Sequence, residues 1–238
     1  MLVVGFPAAA FATNCYVIAP AVGQECLVVD PGIGVLGQLA EVLTEHRLRP
    51  AAVLLTHGHI DHVFSVTPVC GGYGVAAHVH ADDRYRLVDP VASLDPSLRA
   101  MLVQQFGSAA RWQEPADVVT LADGDTLDLA GLQVGVVHAP GHTEGSVMFR
   151  LPQLPDGVTV PAGTPSAGTL LAGDVLFSGS IGRTDLPGGD HAAMMRSLRD
   201  KVLTQPDDLL VLPGHGPATT IGRERMANPY LREVAALG

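Results

Sequence analysis

The sequence predicts a mixed α+β fold, in which strands cluster in both halves of the chain and helices lie between and after them. Three observations predict it. The chain has 238 residues and is 47% hydrophobic, which is enough apolar material for one well-packed core. Short apolar runs bounded by glycine or proline recur along it, as strands do. A few longer segments repeat their apolar residues at helical spacing instead.

The first half of the chain predicts a run of strands interrupted by one amphipathic helix. In that helix, residues 35–46, apolar side chains recur at the spacing of one buried face, and Pro50 follows as a stop signal. Shorter helices are predicted at 63–70, 81–88 and 97–106. The predicted strands are residues 2–6, 15–19, 26–29, 51–55 and 75–79.

The second half predicts further strands and then helices. Asp123-Gly124-Asp125 and Ala130-Gly131 have the residues of tight turns between strands. Residues 152–168 are rich in proline and glycine and predict a surface loop. The predicted strands are 126–129, 132–138, 146–151, 169–172 and 209–212, and the predicted helices are 190–202, 219–227 and 230–236.

One segment concentrates metal ligands: Thr56-His57-Gly58-His59-Ile60-Asp61-His62, directly behind the predicted strand 51–55. Imidazole is the commonest metal ligand in proteins, and a neighbouring carboxylate suits zinc, iron or manganese. Without a metal, these histidines would repel one another when protonated and would need several partners if buried neutral. The segment therefore predicts a metal site.

Three later residues, His142, Asp174 and His215, each follow an apolar run and have glycine beside them, as at the end of a strand. Ligands at several strand ends could converge on one rim of a sheet. A single histidine beside a glycine is more often a structural residue, but the order of these residues after the first cluster favours the metal interpretation. Surface or structural roles are favoured for the remaining histidines, His46, His78, His80, His138 and His191.

Taken together, these motifs resemble the metallo-β-lactamase fold hydrolases. The shared pattern is T-H-x-H-x-D-H at 56–62 followed by the distant His, Asp and His, and the resemblance covers nearly the whole chain. Segments 178–190 and 213–224 look like those of small bacterial glyoxalase II-like (hydroxyacylglutathione hydrolase-like) proteins. The resemblance implies a four-layer αββα sandwich with metals at one edge. It implies one domain over 1–238, without the C-terminal helical domain of full-length glyoxalase II.

The resemblance also implies a site for two divalent metal ions, zinc first, with iron or manganese as alternatives. The implied ligands are His57, His59 and His142 for one ion and Asp61, His62 and His215 for the other, with Asp174 bridging both. A hydroxide between the metals would attack a hydroxyacyl thioester such as S-lactoylglutathione, with Asp61 and Asp174 as the catalytic carboxylates. A thiolate leaving group, with a pKa near ~8.5, needs no strong general acid.

Other residues near this site carry open alternatives. Asp30, before Pro-Gly, is either a turn residue or a partner that holds a ligand histidine. Arg183 falls where glyoxalase II enzymes have a basic residue that contacts the thiol cofactor, but Asp185 falls where they often have tyrosine. Both glutathione and another thiol carrier therefore stay open. Surface positions are favoured over the cleft for Arg84, Tyr85, Arg86 and Trp112.

Charge and cysteine content narrow the function classes. A net charge of −10 argues against nucleic acid and anionic lipid as partners. Three cysteines, and no lysine or arginine before Arg47, favour a cytoplasmic protein. The resemblance implies a small-molecule thioester as the substrate, and a monomer or small homo-oligomer is expected. Alternatives are a mononuclear iron persulfide dioxygenase, with iron on His57, His142 and Asp174, and a lactonase. A β-lactamase and a non-enzymatic metal-binding protein are less favoured.

Overall fold

A computed structural model describes residues 1–91, 94, 96–106, 112–158 and 167–236.

The first sheet is built in chain order. The first three strands are antiparallel, and strands three to six run parallel to one another. The strands, in order across the sheet, are β1 (Leu2–Pro7), β2 (Asn14–Ala19), β3 (Glu25–Val29), β4 (Arg49–Leu54), β5 (Ala77–His80) and β6 (Val118–Leu121).

The second sheet is also built in chain order, from the seventh strand to the twelfth. Its strands are antiparallel except for the parallel pair formed by the tenth and eleventh. These strands are β7 (Thr126–Leu129), β8 (Leu132–His138), β9 (Val147–Leu151), β10 (Thr169–Gly173), β11 (Leu210–Pro213) and β12 (Thr219–Thr220).

Helices cover the outer face of each sheet. A 3₁₀ helix, Ala81–Leu87, follows β5, and a π-helical turn, Leu198–Val202, extends the fifth α-helix. The α-helices are α1 (Leu36–Glu45), α2 (Ile60–Val63), α3 (Val66–Tyr73), α4 (Pro96–Phe106), α5 (His191–Ser197), α6 (Ile221–Ala227) and α7 (Pro229–Ala236). Among the residues that the structure describes, no helix has the length and apolar character needed to cross a bilayer.

Alternation along the strands produces a middle core between the sheets. Successive residues of a strand point to opposite faces, so in β2 Ile18 faces the second sheet while Val17 faces the helices. Phe149 of β9, fully buried, belongs to the same middle core as Ile18. A third core packs Leu170 of β10 against Met194 of α5. Three cores between four layers confirm the predicted αββα sandwich.

The predicted elements are present with small shifts at their ends, and four details differ. β6 was not predicted, and β12 occupies the start of the stretch predicted as helix 219–227. The predicted helix 63–70 is two helices, α2 and α3, and the predicted helix 190–202 becomes π-helical at Leu198. The predicted surface loop 152–168 lies partly outside the described residues.

Candidate metal centre

Four strand ends carry the seven predicted ligands to one edge of the sandwich. The loop after β4 carries the T-H-x-H-x-D-H segment, and α2 begins within it at Ile60. His142 lies between β8 and β9, Asp174 directly follows β10, and His215 follows β11. The first sheet thus supplies His57, His59, Asp61 and His62, and the second supplies the other three. The convergence expected from the sequence is what the fold produces.

The first three histidines form one tight group. One ring nitrogen from each of His57, His59 and His142 lies within 4.8 Å of the others. His59 Nδ1 and His142 Nε2 are 2.8 Å apart. The His57 ring meets the other two nearly edge-on, with centroids 4.8 and 4.7 Å away. Three imidazoles that converge edge-on in this way can direct their lone pairs at a single ion.

The second group contains Asp61, His62 and His215, and Asp174 lies between the two groups. His215 Nε2 is 3.3 Å from Asp61 Oδ2, and His62 Nε2 is 3.5 Å from the same oxygen. Asp174 Oδ1 is 3.4 Å from His62 Nε2. Its Oδ2 is 3.5 Å from His215 Nε2 and 3.6 Å from His142 Nε2. The Asp174 carboxylate therefore reaches nitrogens of both groups, the position of a bridging ligand.

Unpartnered buried atoms test whether these residues fit metal ions. His57 Nε2, His62 Nε2 and Asp174 Oδ1 are buried and have no hydrogen-bond partner among the described residues. Such atoms are costly in a folded protein unless something else binds them. Gly214 leaves room at this point, because a Cβ there would lie 2.2 Å from Asp174 Oδ1. The donor set and its unpartnered atoms fit divalent metal ions.

The electrostatics divide the histidines. Burial lowers the pKa of His57, His59 and His142, and that of His59 falls to about 3. These rings are therefore neutral at pH 7, the form that binds metal. Burial alone would lower the pKa of His62 as well, but Asp61, Asp174 and Asp30 together raise it well above its usual value. A metal ion would take the place of that proton.

Asp30 bonds to the loop after β4 through Thr56 and His62. This agrees with the second of its two interpretations, a partner that holds a ligand histidine. Its Oδ2 accepts hydrogen bonds from the Thr56 hydroxyl at 2.6 Å and from His62 Nδ1 at 2.9 Å. Its Oδ1 accepts from the Thr56 backbone N–H at 2.8 Å. Because His62 uses Nδ1 for this contact, its Nε2 is the nitrogen that faces the centre.

Asp83, in the 3₁₀ helix, is a second buried carboxylate at the centre, and it was not predicted from the sequence. It accepts hydrogen bonds from Gly58 N (2.7 Å), Gly145 N (2.9 Å) and the Thr143 hydroxyl (2.8 Å). The Arg86 Nε donates to it at 3.2 Å. Asp83 therefore ties the loop of His57 and His59 to the loop of His142. No motif surrounds it, so only the tertiary structure identifies it.

Two further contacts fix ligands directly. The Thr13 hydroxyl donates to Asp61 Oδ2 at 2.8 Å. His142 Nδ1 donates to the Arg183 carbonyl oxygen at 2.7 Å, which leaves Nε2 for the centre. Burial would raise the pKa of Asp61, but His62, His215 and Thr13 lower it below its ordinary value. Asp61 is therefore an ionised carboxylate at neutral pH.

The centre opens into a cleft of about 700 Å³, which is the size of a small-molecule site. His59, Asp61, His142, Asp174 and His215 line its floor. The side chain of Phe11, on the loop between β1 and β2, is 47% exposed at the edge of this cleft. The walls are largely apolar and include Phe11, Ile60, Leu94, Phe177, Ile181, Leu186 and Pro187.

Arg183 lines the cleft, but its guanidinium is already paired. It donates two hydrogen bonds of 2.7 Å to Asp185, the residue that stands where glyoxalase II enzymes often have tyrosine. This pair is exposed, and Arg183 lowers the pKa of Asp185 to about 2. The predicted contact of Arg183 with a thiol carrier stays a prediction, and a carrier would compete with Asp185 for the guanidinium.

The four residues of the middle segment do not belong to the described cleft lining. Arg84 pairs with Glu114, and the Trp112 Nε1 donates to the Leu87 carbonyl. Tyr85 is exposed, which agrees with the favoured surface position. A surface position is wrong for Arg86, which is 6% exposed because Asp83 and Glu144 pair with it.

This two-sheet fold with a histidine and aspartate centre at its edge defines a class of metal-dependent hydrolases. A family model described as the metallo-beta-lactamase superfamily matches residues 8–215. The chain therefore belongs to the metallo-β-lactamase superfamily. Membership supports the predicted metal-dependent hydrolase, and the histidine and aspartate groups suit divalent ions.

Two relatives cover almost the whole chain. An uncharacterized protein of Mycobacterium tuberculosis is 46% identical over 232 residues, which are 97% of this chain and 98% of the relative. The hydroxyacylglutathione hydrolase GloC of Haemophilus influenzae is 32% identical over 225 residues, 94% of this chain and 95% of GloC.

Two solved structures are similar over comparable lengths. The BLEG-1 B3 metallo-β-lactamase has a TM-score of 0.76 and 32% identity, covering 97% of this chain and 99% of BLEG-1. TTHA1623 in a di-iron-bound form has a TM-score of 0.73 and 31% identity, covering 96% of this chain and all of that chain (100%). One neighbour therefore binds iron, so zinc is not fixed by the fold.

Proposed function

We propose that the protein hydrolyses a hydroxyacyl thioester in the manner of glyoxalase II, with two divalent ions at the candidate metal centre. One observation carries the proposal: Asp174 lies within 3.6 Å of histidine nitrogens from both groups, on the floor of an apolar cleft. The similarity to GloC supports a thioester as the substrate class. Zinc is the first candidate metal, and iron and manganese fit the same ligands.

The chain's own residues have distinct tasks in this proposal. His57, His59 and His142 would hold one ion, Asp61, His62 and His215 the other, and Asp174 both. When bound, such a pair lowers the pKa of water to about 7 and polarises a carbonyl. Asp61, ionised and fixed by Thr13, would orient the attacking water by accepting its hydrogen bond.

The reaction needs no further acid from the protein. The hydroxyl of the water bonds to the acyl carbon while the other proton of the water passes to solvent, the carbon–sulfur bond breaks, and the electron pair leaves with sulfur as a thiolate. The carboxylic acid formed gives its proton to that thiolate. The products are a carboxylate and a thiol. Since the leaving thiol has a pKa of ~8.5, its thiolate departs without prior protonation. The apolar walls would exclude competing water and bind the acyl and carrier carbons.

Thioester hydrolysis by metal-loaded protein tests the proposal. S-D-lactoylglutathione and a thioester of a different thiol are supplied to the wild type, to Asp174→Asn and to Asp200→Asn. Asp200 is an exposed residue of the π-helical turn and serves as the matched control. We expect turnover by the wild type and the control and its loss in Asp174→Asn. Absence of turnover with both thioesters, in protein shown to hold two ions, would overturn the proposal.

β-Lactam hydrolysis is a second candidate, favoured by the similarity to the BLEG-1 enzyme. A chromogenic cephalosporin in the same assay separates it from thioester hydrolysis. Oxygen uptake with glutathione persulfide tests the dioxygenase alternative, which would use only His57, His142 and Asp174. The formation of the second group, Asp61, His62 and His215, favours hydrolysis over that alternative.

A further inference from the structure

A second cluster of ligand-type side chains lies outside the candidate metal centre. His80 ends β5 of the first sheet, and His138 ends β8 of the second. Asp82, two residues beyond His80, completes the cluster in the 3₁₀ helix. The sequence favours structural roles for both histidines, because nothing in it shows that they meet. The fold places them in contact across the two sheets.

The distances within this cluster are those of a nearly formed metal site. One ligand atom from each residue lies within 4.8 Å of the others. Asp82 Oδ2 is 3.7 Å from His80 Nδ1 and 4.0 Å from His138 Nε2. Around a tetrahedral zinc ion, with bonds of about 2.1 Å, neighbouring ligand atoms lie about 3.4 Å apart. To bind one ion, the exposed Asp82 side chain would move inward, and the partly exposed His138 ring would turn out of its stacked position so that its nitrogen faces the same point as His80 Nδ1.

The rings themselves are stacked, with centroids 3.9 Å apart and planes 12° from parallel. His80 is 6% exposed, and its burial and the neighbouring His138 lower its pKa. A neutral imidazole is the form that binds metal. The carboxylates of Asp82, Asp83 and Asp123 act on His80 with negative charge, which favours a cation at this point.

The hydrogen bonds of the cluster are of the kind that an ion can replace. The Asp82 backbone N–H donates to His80 Nδ1 over a long 3.3 Å. His138 Nε2 donates to the Glu144 carbonyl oxygen at 2.8 Å. An ion bound by His138 Nε2 would take the place of that proton once the ring has turned away from the Glu144 oxygen. The cluster can thus offer two nitrogens and a carboxylate.

We propose that His80, Asp82 and His138 form an additional divalent metal site, separate from the seven-ligand centre. Two imidazoles and one carboxylate suit zinc, nickel or copper better than calcium or magnesium. Asp82 is exposed, so the ion exchanges with solvent more readily than ions at the buried centre. Because the two histidines belong to different sheets, the ion would link the first sheet to the second at a point outside the cleft.

Zinc counting by elemental analysis tests this site without reference to activity. Wild-type protein is dialysed against buffered zinc, and bound zinc per chain is compared with that of His138→Gln and Asp82→Asn. His46→Gln, a histidine substitution at the end of α1, is the matched control. We expect three ions in the wild type and the control, and two in each variant of the cluster. A gain in melting temperature with the third ion should disappear in both variants.

The outcomes decide the proposal in each case. Equal zinc content in all four proteins would overturn it, as would a third ion that survives both substitutions. If His138→Gln fails to fold, Asp82→Asn decides, because the Asp82 side chain is exposed and lies outside the β-sheets. The count of two at the main centre does not depend on the substrate. Failure of thioester hydrolysis would therefore leave this result standing.

Discussion

Two buried carboxylates hold the loops that carry the candidate ligands, and they do so differently. Asp30 contacts His62, a predicted ligand, through its side chain. Among the described residues, no ligand side chain bonds to Asp83. It accepts backbone N–H bonds from Gly58, between His57 and His59, and from Gly145, three residues after His142. Asp30 thus sets the orientation and basicity of a ligand, whereas Asp83 sets the path of the backbone that carries ligands from both sheets.

Their charges are balanced by different means. Asp83 is paired with the buried guanidinium of Arg86. Asp30 has His62, whose proton a metal ion would replace. We therefore expect the loss of Asp83 to affect folding in any metal state, and the loss of Asp30 to affect metal affinity first.

Asp83→Asn should have the largest effect. It removes one partner of a buried ion pair and turns an amide N–H₂ toward the donors of Gly58 or Gly145. The free energy of unfolding should fall by about 3 kcal/mol. Urea unfolding of the metal-free protein, prepared with a chelator, measures this loss, with Asp200→Asn as the control. A loss below about 1 kcal/mol would show that Glu144 alone satisfies Arg86.

Asp30→Asn should weaken metal binding more than it weakens folding. An amide has only one acceptor oxygen. If it faces the Thr56 hydroxyl and His62 Nδ1, the N–H₂ meets the Thr56 backbone N–H, and the opposite flip leaves the hydroxyl and the ring without an acceptor. Either orientation weakens the hold on the His62 ring. Metal affinity should fall about 10–100-fold. Competition with a chromophoric chelator measures it. Unchanged affinity, with a loss of stability as large as that of Asp83→Asn, would erase the difference between the two carboxylates.

Gly58→Ala tests whether the backbone held by Asp83 has room to move. The new Cβ would lie 2.6 Å from Arg86 Cβ, so either the loop or Arg86 must shift. We expect a loss of about 1–3 kcal/mol in the free energy of unfolding. Gly71→Ala is the control, because a Cβ there meets nothing within 4 Å. Equal stability of both variants would mean that the loop is loosely held.

Asp185→Ala should have the smallest effect, and it lies on the rim beyond both carboxylates. The substitution frees the Arg183 guanidinium. If the substrate carrier is an anionic thiol such as glutathione, its KM should decrease about twofold at low ionic strength while kcat stays the same. Steady-state kinetics with S-D-lactoylglutathione measure it, and an unchanged KM would remove Arg183 from carrier binding.

Local sequence signals predicted most of the fold and the candidate ligand set. Apolar runs ending at glycine located the strands, and the dense T-H-x-H-x-D-H segment located the centre. β6 was missed because two of its four residues are exposed and only Leu121 is buried, so no alternation marks it. It forms a strand because β5 offers it a partner edge.

The features that escaped prediction depend on contacts between distant segments. Asp83 is one acid in a charged stretch, and its role requires Gly58 and Gly145 to arrive from two different loops. Arg86 is buried because its guanidinium pairs with Asp83 and Glu144. The stacking of His80 on His138 requires the two sheets to meet at those strand ends. Such relations carry no local pattern, so a single sequence does not contain a readable sign of them.

The division of the candidate ligands between the two sheets has a consequence for the protein's lifetime. Ions bound there would link the two sheets at one edge and would stabilise the folded protein by their binding free energy. Under metal starvation that link would be lost, and the two sheets would be held by the middle core around Ile18 and Phe149 and by hydrogen bonds such as those of Asp83. Proteases act on transient openings of a folded protein. The metal supply of the cell would then set how much of this protein persists, as well as how much of it is active.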